Sequence, residues 1–286
     1  MAPHYISMEV LVRTRRSLPL LATLGLTAGL VSLSSAAEAQ TAAGWALNRF
    51  DPTPSGDVFF LAEHPWTSST RRFSAGLGLD FASNPLVQRS EFADGRIERT
   101  PIISGMLTGH VGLAYSFLDR VGLHVSLPVS LSQSGTASTL TPGFGPSGSL
   151  AVGDVRVGAR VRLFGHADRD VFSLHLGFNA FVPTGSQEGF MSDGKVRLEP
   201  RLVLAGRGGP IRWSFGGGFL VRSELDALNV GVGNELRLTA AVGFTALEDR
   251  LTIGPEAYVV WAIRDAPPEA GGGSAAFSDF HWGGEA

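Results

Sequence analysis

The residues of this chain with the greatest capacity for chemistry are charged side chains that recur at every second position of several segments. An almost wholly apolar face runs opposite them. Because successive side chains of a strand point to opposite sides, these charges are expected to share one face of a sheet. The set contains eight arginines and four acids, namely Asp154, Arg156, Arg160, Arg162, Arg197, Glu199, Arg201, Arg212, Arg222, Glu235, Arg237 and Glu256.

Two kinds of structure would keep so many arginines on one face. An uncompensated buried charge is costly, so the face has to be either paired or wet. The first interpretation is a network of ion pairs that fills a narrow interior, and it predicts that Arg237 pairs with Glu256 on an adjacent strand. The second is an electropositive pore that favours anions. Both place the charges inside and the apolar face outside.

Histidines are the remaining candidates for acid–base catalysis or metal binding. A hairpin between their two segments would place His124 opposite Ala114 and His110 opposite Pro128. The two imidazoles would then lie about 13 Å apart along the strands, too far to share a metal ion or a proton. His175 also faces inward, and no serine lies in a nucleophile-elbow sequence. We therefore expect no catalytic residue, no metal, no cofactor and no enzymatic activity.

Nine segments show the period-2 alternation that would position these charges, which predicts an all-β, antiparallel sheet. They are residues 71–81, 106–117, 121–133, 152–163, 171–182, 196–204, 211–221, 235–244 and 251–263. Most have 9–13 residues, long for a soluble sheet and suitable for a tilted membrane strand. The predicted fold is a transmembrane up-and-down β-barrel with an apolar exterior. A soluble β-sandwich or lipocalin-like barrel is the alternative, and its core would have to bury the arginines.

The connections alternate between long and short, which is typical of bacterial outer-membrane barrels. Long loops are predicted at residues 82–101, 134–150, 183–195 and 223–229, and residues 264–286 would form a further external loop. Single-chain bacterial barrels have an even number of strands. Nine visible strands therefore predict ten or more in the complete protein; either the closing strand is missing from a truncated chain, or one strand escapes the count.

The first 39 residues have the features of a cleaved secretory signal. Three arginines precede an apolar stretch at residues 18–33, and residues 37–39 (Ala-Glu-Ala) fit a cleavage site. The mature chain is therefore expected in the outer membrane of a Gram-negative bacterium, with outer-membrane lipid as its partner. Residues 40–70 alternate little, and we expect either a periplasmic lead-in or a plug, with a disordered linker as the alternative.

The overall composition excludes several functions. A net charge of −3 argues against nucleic acid or another polyanion as a partner. The chain has no cysteine, so it can form neither disulfides nor thiolate metal sites. Positive charge is almost entirely arginine, since Lys195 is the one lysine.

Several short motifs resemble families of bacterial envelope proteins. Residues 45–52 (WALNRFDP) and 55–60 (SGDVFF) resemble the start of OmpA-like outer-membrane proteins described mainly in myxobacteria and related Gram-negatives. Residues 83–87 (SNPLV) resemble the end of that family's first strand. Residues 153–158 (GDVRVG) and 181–185 (FVPTG) are similar to MetA-like putative outer-membrane transporters.

The two resemblances imply different functions. The first implies a structural or envelope-organising barrel, which such proteins commonly join to calcium-binding repeats or a peptidoglycan-binding domain. Peptidoglycan would be a partner only if a C-terminal domain of that kind is missing from this chain. The second implies a passive, porin-like channel or transporter for small solutes. We expect the structural role, with an anion-favouring channel as the alternative.

Overall fold

The structure is a computed structural model, and β-strands are the only regular secondary structure of the residues it describes. These residues are 44–66, 72–91, 96–138, 144–223, 225–227, 230–263 and 281–285. The signal expected at residues 1–39 lies outside them. Within the same ranges, no helix is long and apolar enough to cross a membrane.

The strands form one large antiparallel sheet and one small hairpin. In chain order they are β1 (Arg72–Glu91), β2 (Ile97–Phe117), β3 (Val121–Ser134), β4 (Ala151–Val152), β5 (Val155–Phe164), β6 (Ser173–Val182), β7 (Arg197–Gly208), β8 (Ile211–Leu220), β9 (Leu225–Ala227), β10 (Val230–Val232), β11 (Asn234–Ala246), β12 (Leu251–Ile253), β13 (Glu256–Ile263) and β14 (His281–Glu285). The main path runs β1-β2-β3-β5-β6-β7-β8-β11-β13-β14, while β4 pairs with β3, β12 with β11 and β9 with β10. Neighbours along the path follow chain order, so the predicted all-β, antiparallel, up-and-down arrangement is confirmed.

The sheet is strongly curled, but it is not a closed barrel. In the described part of the chain, no strand pairs with the outer edge of β1 or of β14. β14 pairs with β13, with His281 opposite Val260, so residues 281–285 extend the sheet. The external loop expected at 264–286 is therefore wrong for these residues. Five residues that include two glycines are too short and too weakly patterned to be recognised as a tenth strand.

The long loop predicted at residues 82–101 is also wrong, because β1 and β2 continue through most of it as a hairpin. The pairing register shifts between Ser83 and Leu86, and Asn84 has a φ of 51°. A bulge of this kind moves the following side chains to the other face and interrupts the alternation. The second half of β1 therefore resembles a loop in the sequence.

The two faces of the sheet have inverted polarity. Apolar side chains in the middle of strands are exposed on the convex face, where Leu202 is 48% and Val242 52% exposed. Charged and polar side chains are buried on the concave face. Apolar packing inside the curl is concentrated at the end that carries the long connections, in a cluster of Trp45, Leu47, Ile102, Ile103, Met106, Phe144, Ala151, Phe190 and Met191.

The other end of the sheet carries the tight turns, and we call it the short-turn end. The turns lie at residues 118–120, between β5 and β6, between β7 and β8, and at 247–250. Close backbone packing beside the last of them splits the segment predicted at 251–263 into β12 and β13. At Gly254, which separates these two strands, a Cβ would lie 1.9 Å from the carbonyl oxygen of Val242.

We expect Gly254→Ala to lower the free energy of unfolding by about 1–3 kcal/mol, because the added methyl group would displace the backbone of β11. Gly208→Ala is the matched control, since a Cβ there meets no atom within 4 Å. Urea unfolding of both variants, followed by circular dichroism, measures the difference. Equal stability of the two variants would contradict the close backbone approach at Gly254.

Candidate functional site in the charged interior

A segment without regular secondary structure, residues 44–66, lies inside the curl, and we call it the inner segment. Its first residues are held by backbone hydrogen bonds to the loop before β7. The amide of Ala46 donates to Asp193 Oδ1 at 2.9 Å, and the amide of Leu47 donates to the carbonyl of Phe190 at 3.0 Å. The inner segment then runs along the concave face and reaches the short-turn end.

The structure places all the charges predicted to share a polar face on the concave face, and each of them is buried. They are Asp154, Arg156, Arg160, Arg162, Arg197, Glu199, Arg201, Arg212, Arg222, Glu235, Arg237 and Glu256. Most of them lie within ion-pair distance of a group of opposite charge, and three of the partner acids belong to the inner segment.

The inner segment supplies three acids to the arginines of the sheet. Arg160 donates two hydrogen bonds of 2.7 Å to the two carboxylate oxygens of Asp57. Arg201 Nε lies 3.3 Å from Glu63, and Arg237 binds Asp51. Sequence reasoning missed these three acids as partners. The eight-to-four excess of arginine in the predicted set was the signal that acids from elsewhere in the chain had to balance it.

Glu256 binds the inner segment through its backbone. Its carboxylate accepts hydrogen bonds from the amides of Phe60 at 2.9 Å, Leu61 at 2.8 Å and Ala62 at 3.1 Å. One buried carboxylate thus satisfies three consecutive backbone donors that have no strand partner. Glu256 therefore anchors the inner segment to β13.

The predicted pair of Arg237 with Glu256 is wrong. In the register between β11 and β13, Arg237 lies opposite Val260 and Glu256 lies opposite Ala241. Four positions therefore separate the two side chains along the strands. Arg237 instead donates to Glu235 at 3.0 Å and binds Asp51.

A second ion-pair cluster lies towards the long-loop end, around Asp193. Asp193 Oδ2 lies 3.5 Å from Arg197 and 3.3 Å from Arg222. Arg197 also donates to Asp154 at 3.0 Å, and Arg222 lies 3.5 Å from Glu235. Asp193 was not predicted, because it lies in a loop where alternation does not apply.

Glycines on the concave face leave room for the inner segment. Gly76 and Gly112 are cross-strand partners in β1 and β2. A Cβ on either would lie 2.9 Å or 2.7 Å from Ser55 Oγ, so the pair forms a notch that receives this side chain. The next residue, Gly56, has a φ of 94°, which a residue with a side chain adopts rarely.

The predicted register of the histidines is confirmed, with His110 opposite Pro128 and His124 opposite Ala114. His110 hydrogen-bonds to Asp80, and His124 hydrogen-bonds to Asn179 at 2.9 Å. Each imidazole thus has its own polar partner. No group of three or more possible metal ligands occurs among the residues that the structure describes.

Burial and the neighbouring arginines shift the pKa values of the acids of the inner segment in opposite directions. Burial raises the pKa of Asp57 to about 6 despite the opposing charge of Arg160. Burial also raises the pKa of Glu63, but Arg201 and Arg160 outweigh it and hold the pKa below its usual value. The same balance, with Arg237 as the largest opposing charge, lowers the pKa of Asp51. The three acids are therefore ionised at neutral pH, as their ion pairs require.

A cavity of about 900 Å³ remains at the short-turn end, between the inner segment and strands β1 to β3. The arginines that line it are Arg72, Arg156, Arg169, Arg207, Arg212 and Arg250. Arg207 donates two hydrogen bonds of 2.7 Å to Asp249, and the guanidinium of Arg72 lies 4.0 Å from the ring centroid of Trp66. The neighbouring predicted residue Arg162 is engaged in the turns, where it donates to Asp119 and Gly165.

No protein-family model, no curated protein and no solved structure matches this chain.

We expect Glu256→Gln to loosen the inner segment, because an amide oxygen is a weaker acceptor than a carboxylate for three backbone donors. Hydrogen exchange at Phe60, Leu61 and Ala62 should accelerate by about 10- to 100-fold, since hydrogen bonds to a charged group contribute about 1.5–3 kcal/mol. Glu248→Gln, on an exposed turn, is the control and should leave these amides unchanged. Unchanged protection in Glu256→Gln would contradict the anchoring role.

Proposed function

We propose that this chain is an integral outer-membrane β-protein with a filled interior and a structural role in the cell envelope. The observation that carries the proposal is the inverted burial of the sheet. Charged side chains are buried on its concave face, and apolar side chains cover its convex face.

An apolar convex face is explained by a lipid environment. Monomeric proteins in water rarely expose contiguous apolar patches larger than a few hundred Å². Here, exposed large apolar side chains recur on every long strand of the main path from β1 to β13. Aromatic rings add to this pattern. Tyr115 and Phe117 stack at 5.7 Å near the short-turn end, and Phe172 lies between Phe164 and Trp213. Girdles of aromatic residues are typical of membrane barrels at the lipid–water interface.

Lipid offers no hydrogen-bond partner to an open sheet edge. The proposal therefore requires that the outer edges of β1 and β14 be paired or covered in the membrane.

The filled interior supports a structural role. Asp51, Asp57 and Glu63 bind arginines across the concave face, so the inner segment occupies the path that a solute would take. The motifs at residues 45–60 that resemble OmpA-like proteins lie in this same segment. An envelope protein of that type requires a stable barrel and no open pore.

A passive channel for small, preferably anionic solutes is the second candidate function. The cavity of about 900 Å³ and its arginines favour it, because they provide a basic entrance at one end of the interior. Passage would require the inner segment to move away from the ion pairs that hold it.

We expect Leu202→Arg to impair membrane insertion, because this side chain lies in the middle of β7 on the convex face. An arginine at the bilayer midplane costs about 2–4 kcal/mol, against about 0–1 kcal/mol near the interface. Leu118→Arg, in a turn, is the matched control. The measurement is the fraction of each protein that refolds into lipid vesicles. Equal insertion of both variants, or a folded protein that remains in buffer without detergent, would refute the membrane proposal.

We expect no conductance steps when the full-length protein is reconstituted into planar bilayers, because the inner segment fills the interior. An established porin reconstituted in parallel shows that the assay detects open channels. Stable steps from this protein would refute the structural role and support the channel, and a reversal potential in a salt gradient would then report its ion preference.

A further inference from the structure

We propose that the cavity at the short-turn end binds a small anionic amphiphile, a molecule with one anionic head group and one apolar chain. The proposal rests on the described lining of the cavity and does not depend on the membrane proposal.

Arg212 provides the site for the head group. Its side chain is 9% exposed and lines the cavity. Its nearest carboxylate oxygens, on Asp168 and Asp249, lie 3.9 Å and 3.7 Å away, beyond hydrogen-bond distance. Its Nε has no hydrogen-bond partner among the described residues. This Nε is itself buried, so Nη1 and Nη2, which have carboxylates at ion-pair distance and no hydrogen bond to a described residue, are the donors available to an anion inside the cavity.

The charge of the lining also favours an anion. Of the three acids in the lining, Asp57 is bound by Arg160 and Asp249 by Arg207, which leaves Asp168 among six arginines. Arg250 is exposed and lines the same cavity at the short-turn end. A second cation is therefore available to an anion that enters.

The apolar part of the cavity lining would bind the apolar chain of the ligand. Phe50, Phe59 and Phe60 of the inner segment are among the apolar residues that line the cavity. The chain of the ligand would lie against this apolar part of the lining while the head group stays at Arg212. The volume of the cavity lies within the range of about 300–1,000 Å³ that is usual for small-molecule sites.

Octanoate is the probe, because it combines a carboxylate with a short apolar chain. Equilibrium dialysis of radiolabelled octanoate against the full-length protein in maltoside micelles, with uptake by empty micelles subtracted, measures its binding. We expect saturation at one octanoate per chain. Octanol lacks the charge and inorganic phosphate lacks the chain, and each is expected to bind at least about tenfold more weakly, equivalent to about 1.4 kcal/mol.

Two variants test the two parts of the site. Arg212→Gln is expected to weaken octanoate binding by at least about tenfold. Arg99→Gln, at an exposed position at the opposite end of β2, should leave it unchanged. Gly78→Val should block the cavity, because a Cβ there has ordinary contact only with His110 and points into the free volume. Gly217→Val, on the convex face, is its control and should bind octanoate normally.

The opposite results would overturn the proposal. Absence of saturable octanoate binding would show that the cavity is not a binding site for such a molecule. If phosphate binds as tightly as octanoate, the site recognises only the negative charge. If octanol binds as tightly as octanoate, the site recognises only the apolar chain. Equal affinity in wild-type protein, Arg212→Gln and Gly78→Val would place any binding elsewhere. If Arg212→Gln fails to fold, Arg250→Gln and Gly78→Val provide the same test.

Discussion

A buried guanidinium group needs a carboxylate or other acceptor, and this requirement organises the whole structure. The concave face carries more arginines than acids, so the sheet cannot neutralise itself. The inner segment supplies Asp51, Asp57 and Glu63, and the connecting loops supply further acids such as Asp193 and Asp119. Because breaking one partner of a buried pair leaves an uncompensated charge, the sheet and the inner segment are expected to be stable only together.

The same requirement determines how much free space the interior retains. Where acids and backbone amides meet the charges of the sheet, as at Glu256 and Asp193, the interior is filled. Glycines such as Gly76 and Gly112 let the inner segment approach the strands closely. Towards the short-turn end a large cavity remains, and Arg212 lies there with no hydrogen bond from its Nε to a described residue. Structural and binding roles can therefore occupy different parts of one interior.

Much of the fold could be predicted because alternation is a local property. The antiparallel order, the burial of all the predicted charges, and the register of His110 and His124 followed from it. Predictions failed where a local irregularity interrupts the period of two. The bulge at Asn84 hid half of β1, and close backbone packing at Gly254 divided the last long segment. The wrong pairing of Arg237 with Glu256 has the same origin, since a register counted across an irregular connection is unreliable.

The sequence by itself determined which side chains point inward, because the direction of a side chain in a strand depends only on its position. It also determined that the inward charges needed partners, because arginine exceeds acid in the predicted set. Only the tertiary structure decided which partners these are. Residues 44–66 do not alternate, and their acids lie about 100 to 190 positions from the arginines they bind, a separation over which no local pattern carries information. The tertiary structure likewise decided that β1 and β14 do not pair within the described residues and that an arginine-lined cavity of about 900 Å³ is left inside the curl.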